Sequence, residues 1–213
     1  MKNILVGIPV IYDFNCVKRC LAHVKGADDI LIIDNNATAD IKNLIEPYNK
    51  IVNNNNIYVN PAWNQLMRYF LDHPEYDTII ILNSDIYLKD DVFKIIKSLN
   101  LDALKVIPLV TGVSEFTEVK DHYVSIVEDG VPGVFICLSR KMVEAVYPIP
   151  EEIKLWFGDN WIFGKLRKLN YKMTIYNDLQ AIMDWSRSIG KLPEANALIE
   201  EDKKAWNLIS KRI

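Results

Sequence analysis

The chain has 213 residues, 50% of them hydrophobic, and its 25 Lys and Arg residues stand against 28 Asp and Glu residues. A chain of this length can bury a substantial core and fits a single domain over residues 1–213. The formal net charge of −3 excludes the overall basic field that drives binding to nucleic acid or to acidic membranes. We therefore expect no nucleic acid among its partners.

The cysteines and the apolar stretches predict the cellular setting. Cys16, Cys20 and Cys137 are odd in number and have neither disulfide nor usual zinc spacing, so they indicate buried thiols in a reducing compartment. Pro9 and Asp13 interrupt the first apolar stretch too early for a signal peptide or an anchor. No later stretch reaches the roughly 18 uncharged apolar residues of a membrane helix. We expect a soluble, cytoplasmic protein without membrane insertion.

The first half alternates short runs rich in Ile, Leu and Val with helical patterns, which is typical of a mostly parallel central sheet flanked by helices. This pattern predicts an α/β fold with a nucleotide-binding half over about residues 1–110. The predicted strands are residues 4–8, 29–34, 77–82 and 105–110, and the predicted helices are residues 14–25, 38–47, 61–73 and 90–98.

The second half predicts a small antiparallel portion and an acceptor-binding, catalytic half over about residues 111–190. Residues 116–138 are predicted as strands around a turn at residues 128–130. Ser139 is the expected N-cap of the next helix. The remaining predicted elements are helices at residues 140–146, 159–169 and 193–211, the last of them amphipathic, and a strand at residues 172–176.

The ends of the first three strands predict the position of a ligand, because open α/β sheets bind ligands at the carboxyl ends of their strands. These ends are Pro9 to Asp13, Asp34 to Asn36, and Asn83 to Asp85. No G-x-G-x-x-G motif or P-loop follows any of them, so a Rossmann cofactor or a glycine-rich phosphate cradle is not expected. A divalent metal is then the expected partner of a phosphate.

Asp85 is the candidate metal ligand at the third strand end. Mg²⁺ and Mn²⁺ take hard oxygen ligands, commonly one or two carboxylates together with phosphate oxygens and water. The alternative is an ordinary turn or cap residue, because Asn, Ser and Asp are common at strand ends.

Two further acidic clusters are candidates. Asp159 lies among Trp156, Phe157 and Trp161 at the start of a predicted helix, where a carboxylate can serve as a general base towards a bound hydroxyl or simply as a helix cap. Asp184 and Arg187 follow an apolar strand, where they form either part of a site or a surface ion pair.

In their order along the chain, these segments resemble the inverting family 2 glycosyltransferases and their GT-A relatives, up to about residue 190. They are also similar to glycosyltransferases of large DNA viruses of algae, which would imply a viral origin. The resemblance covers a strand ending in Asp34, an N-x-x-x-N helix start at Asn60 to Asn64, a D-x-D-like strand end in DTIIILNSDIYL, an arginine-containing turn in GVFICLSRKM, an acidic motif in GDNWIFGKLRKLNY and a final strand in AIMDWSRS.

The resemblance implies a metal-dependent transfer of a sugar from a nucleotide-diphosphate donor, favouring UDP, to a glycan or glycoprotein hydroxyl. It implies that Asp159 is the catalytic base and that Asp85 holds Mn²⁺ or Mg²⁺, with Asp184 as a candidate second ligand. Trp156 and Trp161 either form an apolar platform that contacts the acceptor sugar or pack in the core. The residues predicted to bind the nucleotide sugar are Pro9, Val10, Tyr12, Asp34, Asn60, Trp63, Asn64, Asn83, Ser84 and Arg187.

Three positions depart from the family pattern. Asn83 replaces the first acid of the D-x-D turn, Gly158 replaces the usual glutamate before the catalytic aspartate, and Asp184 replaces the C-terminal histidine. Asp159 is therefore the only carboxylate of its motif, and Asp184 would suit a hard cation.

Two other functions remain open from the sequence. A sugar nucleotidyltransferase would also use an α/β sheet, a nucleotide and a metal, but its glycine-rich, arginine-containing N-terminal loop is missing. A non-catalytic nucleotide-sugar binding domain would use the same carboxylates without turnover.

Overall fold

A computed structural model of the chain describes residues 3–101, 106–119, 124–127, 133–184 and 189–213. The strands in chain order are β1 (Ile4–Val10), β2 (Asp29–Asp34), β3 (Asn49–Val52), β4 (Thr78–Leu82), β5 (Ile86–Leu88), β6 (Val106–Val113), β7 (Val124–Val127), β8 (Phe135–Ser139) and β9 (Lys172–Met183). The α-helices are α1 (Phe14–His23), α2 (Ala39–Leu44), α3 (Val59–Asp72), α4 (Val92–Ser98), α5 (Arg140–Val146), α6 (Gly158–Lys168) and α7 (Ala195–Ile209). Short 3-10 turns cover Ile189–Lys191 and Ser210–Arg212.

The first sheet has the order β3-β2-β1-β4-β8. Its first four strands are parallel, and β8 runs antiparallel to β4. Every residue of β4 and of β8 is buried, because helices cover both faces of such a sheet and leave little of it to solvent. The predicted α/β fold with a mostly parallel central sheet flanked by helices is confirmed.

The membership of this sheet corrects one prediction. The fourth apolar run, predicted as residues 105–110, contributes β6 to a second sheet, where it pairs with β9. The fourth parallel strand of the first sheet is instead β3, which was not predicted. The reason is that Asn49–Val52 is an edge strand of four residues with no fully buried side chain, so its sequence carries no apolar run.

The second sheet is built on the long strand β9. Strand β6 lies parallel to β9, with a register shift between Val110 and Thr111, while β7 and β5 pair antiparallel with successive parts of β9. This is the antiparallel portion expected in the second half. The turn predicted at residues 128–130 lies outside the described residues.

The helices agree with the predictions to within about three residues at each end. Ser139 occupies the N-cap position of α5, although its side chain forms no capping hydrogen bond. Helix α3 approaches β1 closely, because a Cβ atom on Gly7 would lie 2.5 Å from the Leu66 side chain. This contact seats the predicted site helix directly on the first strand.

The structure also bears on the expectations for the cysteines and for membrane-spanning helices. Cys16, Cys20 and Cys137 are free thiols, and all three are buried, as predicted. Within the described ranges, no helix combines the length and apolar character needed to cross a membrane.

Candidate active site

A cleft of ≈ 800 Å³ opens where β1, β2 and β4 end. Parallel strands end at the same edge of a sheet, and the loops that follow them separate there and leave room for a ligand. The residues of the sequence prediction that line this cleft are Pro9, Val10, Tyr12, Asn60, Trp63, Asn83, Ser84, Asp85, Trp156 and Asp159. The structure therefore brings the two principal acids, Asp85 and Asp159, to one cavity.

Four predicted residues of the described ranges do not line the cleft. One is Asp184, which is described below, and the polar atoms of the other three bond to backbone groups. The carboxylate of Asp34, 3% exposed, accepts a hydrogen bond of 2.7 Å from the backbone N–H of Ala37. The Asn64 side chain exchanges two hydrogen bonds of 2.8 Å with the backbone of Ile149. The Trp161 indole donates to the carbonyl of Val146 at 2.9 Å. Arg187 lies outside the described residues.

Asp85 lies in the turn between β4 and β5, and Asp184 comes directly after β9. The antiparallel pairing of β5 with β9 joins them, since the backbone N–H of Asp184 donates to the carbonyl of Asp85 at 3.0 Å. The Asp184 carboxylate also accepts hydrogen bonds from the Tyr87 hydroxyl at 3.4 Å and from the Cys16 thiol at 3.8 Å. The acids predicted as metal ligands are thus neighbours across a strand pair.

This donor set suits a hard cation that shares its coordination with a ligand. The described part of the chain contains no cluster of three or more His, Cys, Asp and Glu side chains able to hold a metal. Mg²⁺ and Mn²⁺ need only one or two carboxylates when substrate phosphates supply the remaining oxygens. Burial raises the pKa of the nearby Cys16 and Cys20 thiols.

Asp159 lies in the first turn of α6, on another part of the cleft wall. One carboxylate oxygen accepts from the backbone N–H of Gly133 at 2.9 Å, and the other accepts from the backbone N–H of Asn160 at 2.8 Å. A Cβ atom on Gly133 would lie 2.5 Å from the Asp159 Cβ, so only glycine allows this close approach. These contacts orient the carboxylate without consuming all of its lone pairs.

Two cleft residues that were not predicted to bind a ligand have left-handed backbones. Tyr58 has a φ of 68° and Phe157 a φ of 64°, a region that non-glycine residues rarely adopt and that is enriched at functional sites. Both line the cleft. No local pattern marks a left-handed backbone at an aromatic residue, so the sequence offers no signal for either one.

Other cleft residues were also missed. Asn35 was not among the predicted binding residues, although it lies in the strand end Asp34 to Asn36 where a ligand was expected, and Gly133 was not among them either. Leu192 also lines the cleft, but it comes from the segment before α7, and nothing near it in the sequence indicates a site.

Two buried polar atoms of the cleft residues lack a hydrogen-bond partner among the described residues, namely Oδ1 of Asn60 and Nε1 of Trp63. Such atoms are uncommon in folded proteins because each carries the cost of lost hydration. Because both atoms are buried, neither contacts a ligand in the cleft directly.

The fold is the GT-A fold of glycosyltransferases: a mostly parallel α/β sheet with flanking helices, found in solved glycosyltransferases that superpose on this chain. No protein-family profile matches the chain, and no curated protein matches it by sequence. The assignment of the GT-A fold therefore rests on the three-dimensional likeness to solved glycosyltransferases.

The neighbours include enzymes solved with nucleotide sugars. S. aureus TarS residues 1–349 in complex with UDP-GlcNAc has a TM-score of 0.62 and 13% identity, covering 87% of this chain and 60% of that one. Mannosyltransferase PcManGT from Pyrobaculum calidifontis, solved with GDP-Man and Mn²⁺, has a TM-score of 0.63 and 12% identity. The match covers 96% of this chain and 64% of that one. GalNAc-T7 with UDP, GalNAc and Mn²⁺ has a TM-score of 0.61 and 11% identity. The match covers 85% of this chain and 43% of that one. This chain thus spans less than two thirds of each neighbour, and the likeness is one of fold.

Proposed function

We propose that the chain is a metal-dependent, inverting glycosyltransferase domain that moves a sugar from a nucleotide-diphosphate donor to a glycan hydroxyl. The observation that carries this proposal is the convergence of Asp85 and Asp159 on one cleft at the carboxyl ends of the strands of a GT-A fold. A metal-binding acid for the departing diphosphate and a base for the acceptor are the two groups that this reaction needs.

Asp85 and Asp184 are the residues that would hold Mn²⁺ or Mg²⁺. The ion, when bound, supplies positive charge that stabilises the departing diphosphate. Tyr12, Asn83 and Ser84 line the same cleft and would bind the nucleoside and ribose. The neighbours carry both UDP and GDP sugars, and uridine is proposed here on the family resemblance, as is a viral origin.

Asp159 and Trp156 would form the acceptor side. Trp156 lines the cleft and is 43% exposed, so its ring offers an apolar face of the kind on which sugars stack. In the reaction, the acceptor oxygen forms a bond to the anomeric carbon, the bond from that carbon to the diphosphate oxygen breaks, and Asp159 takes the acceptor proton. A single displacement of this kind inverts the anomeric centre.

The test is a screen of nucleotide sugars for metal-dependent hydrolysis, which requires no knowledge of the acceptor. With the donor identified, Asp159→Asn should lower turnover by about 100-fold to 10,000-fold, since this is the usual contribution of a positioned general base. Its Mn²⁺-dependent affinity for the nucleotide, measured by calorimetry, should stay unchanged. Asp85→Ala should instead lose this Mn²⁺-dependent affinity for the nucleotide.

Asp72→Asn is the matched control, because Asp72 forms an exposed ion pair with Arg68 on α3 and should alter neither quantity. Near-normal turnover in Asp159→Asn would remove the base assignment. Tight metal-dependent donor binding without any hydrolysis would favour a non-catalytic binding domain, and release of pyrophosphate from a nucleoside triphosphate with a sugar phosphate would favour a nucleotidyltransferase.

A further inference from the structure

Asp202 is a buried acid on α7, far from the proposed catalytic groups in sequence. It is 1% exposed, and its carboxylate accepts three backbone hydrogen bonds, from Lys154 at 2.9 Å and from Leu155 and Trp156 at 2.7 Å each. A buried charge is costly unless hydrogen bonds replace its water. Successive N–H groups converging on one carboxylate form an anion-binding concavity, so Asp202 determines the course of residues 154–156.

Trp206 holds the next residue of the same segment. It lies one helical turn after Asp202, on the same face of α7, and its ring stacks on that of Phe157 with centroids 5.3 Å apart and an interplanar angle of 5°. Two side chains of α7 therefore fasten residues 154–157, which we call the acceptor segment.

The acceptor segment is also held from the opposite side. The Nδ2 of Asn60 on α3 donates to the carbonyl of Trp156 at 2.8 Å and to that of Ile153 at 3.2 Å. Phe157 keeps a left-handed backbone with a φ of 64°, a conformation that costs free energy and persists only where the surroundings hold it. Asp159 follows two residues later.

We infer that Asp202 and Trp206 are positioning residues: α7 holds the acceptor segment so that Trp156 and Asp159 present one acceptor-binding wall to the cleft. This inference deepens the proposed function and rests on it for its catalytic consequence. The C-terminal helix then belongs to the active site and does more than cover the core. A displacement of about 1 Å at a reacting group can cost about 100-fold in rate. The contacts of Asp202 and Trp206 with the acceptor segment, which we call the α7 clamp, therefore affect the rate of the reaction.

The test compares Asp202→Asn with Glu200→Gln, which removes the same charge from an exposed position of α7. In Asp202→Asn the amides of Lys154, Leu155 and Trp156 should exchange hydrogen about 10-fold faster or more, the factor expected from a hydrogen bond to a charged group. Turnover of metal-dependent donor hydrolysis should fall by about 10-fold to 100-fold. The affinity for UDP with Mn²⁺ and the donor KM should not change, and Glu200→Gln should match the wild type throughout.

Unchanged amide exchange in a folded Asp202→Asn protein would overturn the inference, as would faster exchange with unaltered turnover. If Asp202→Asn does not fold, Trp206→Leu should show the same changes in milder form, and its failure to do so would also overturn the inference. If the wild type hydrolyses no nucleotide sugar, the proposed function fails, whereas loss of amide protection would still support the α7 clamp because that measurement is independent of activity.

Discussion

At the scale of single residues, the surroundings of Gly158 explain why this position is a glycine. A Cβ atom there would lie 2.1 Å from Oδ1 of Asn60, so Asn60 fills the space of the missing side chain. Asn60 is 1% exposed and bonded to two carbonyls, so it cannot move aside cheaply. We expect Gly158→Ala to lower the free energy of unfolding by about 1–3 kcal/mol, as overpacking typically does, in urea denaturation.

Gly190→Ala is the control for this prediction, because a Cβ atom on Gly190 meets nothing within 4 Å. Its effect should stay within about 0.5 kcal/mol, as for most surface substitutions. Equal stability of both variants would show that Asn60 is not held in place.

At the scale of elements, Arg140 explains how α3 ends. Its guanidinium donates to the carbonyls of Phe70, Leu71, His73 and Tyr76 at 2.9–3.2 Å and lies 4.6 Å from the centroid of the Phe70 ring. The last carbonyls of a helix lack partners within it, and a cation there also complements the helix dipole. We expect Arg140→Met to lower the unfolding free energy by about 2–4 kcal/mol, since several charged hydrogen bonds are lost together.

Arg68→Met on the same helix is the comparison, because Arg68 forms an exposed ion pair with Asp72. Exposed pairs of this kind contribute about 0–1 kcal/mol. If the two variants melt alike in calorimetry, then Arg140 is not the cap of α3. Because Arg140 does not line the cleft of Asp85 and Asp159, donor affinity should remain intact in either case.

At the scale of the whole molecule, ion pairs join segments that are distant in the chain. Lys191, next to the cleft residue Leu192, pairs with Asp13 at 2.9 Å. The hydrogen bond from Lys191 lowers the pKa of Asp13, although burial acts in the opposite direction. A folded-state pKa below the unfolded value contributes stability above about pH 4, which is lost as the pH falls through the lowered pKa. We therefore expect Lys191→Met to be less acid-sensitive than the wild type.

The measurement is the urea midpoint at pH 7 and at pH 3. Lys191→Met should lose stability mainly at pH 7, so that its midpoint differs less between the two conditions. Lys94→Met, which replaces an exposed lysine of α4, should reproduce the wild-type difference. A wild-type difference retained in full by Lys191→Met would exclude the pair as a source of acid sensitivity.

Much of the fold and part of the site were predictable because their signals are local. The apolar runs of β1, β2 and β4 identified the central strands, and the polar residues after them placed Asp85 at a strand end. Strand β3 escaped prediction because an edge strand needs no apolar run. Tyr58 escaped because nothing in the neighbouring letters requires its left-handed backbone.

The sequence by itself determined the α/β class, the burial of the thiols and the positions of two of the acids relative to their own strand or helix. Only the tertiary structure decided that Asp85 and Asp159 line one cleft, that Asp184 pairs with Asp85 through the backbone, and that Asp202 holds the acceptor segment. Periodicity and strand ends depend on neighbouring residues, whereas these contacts join residues 46 to 99 positions apart, so only the packing of the folded chain could settle them.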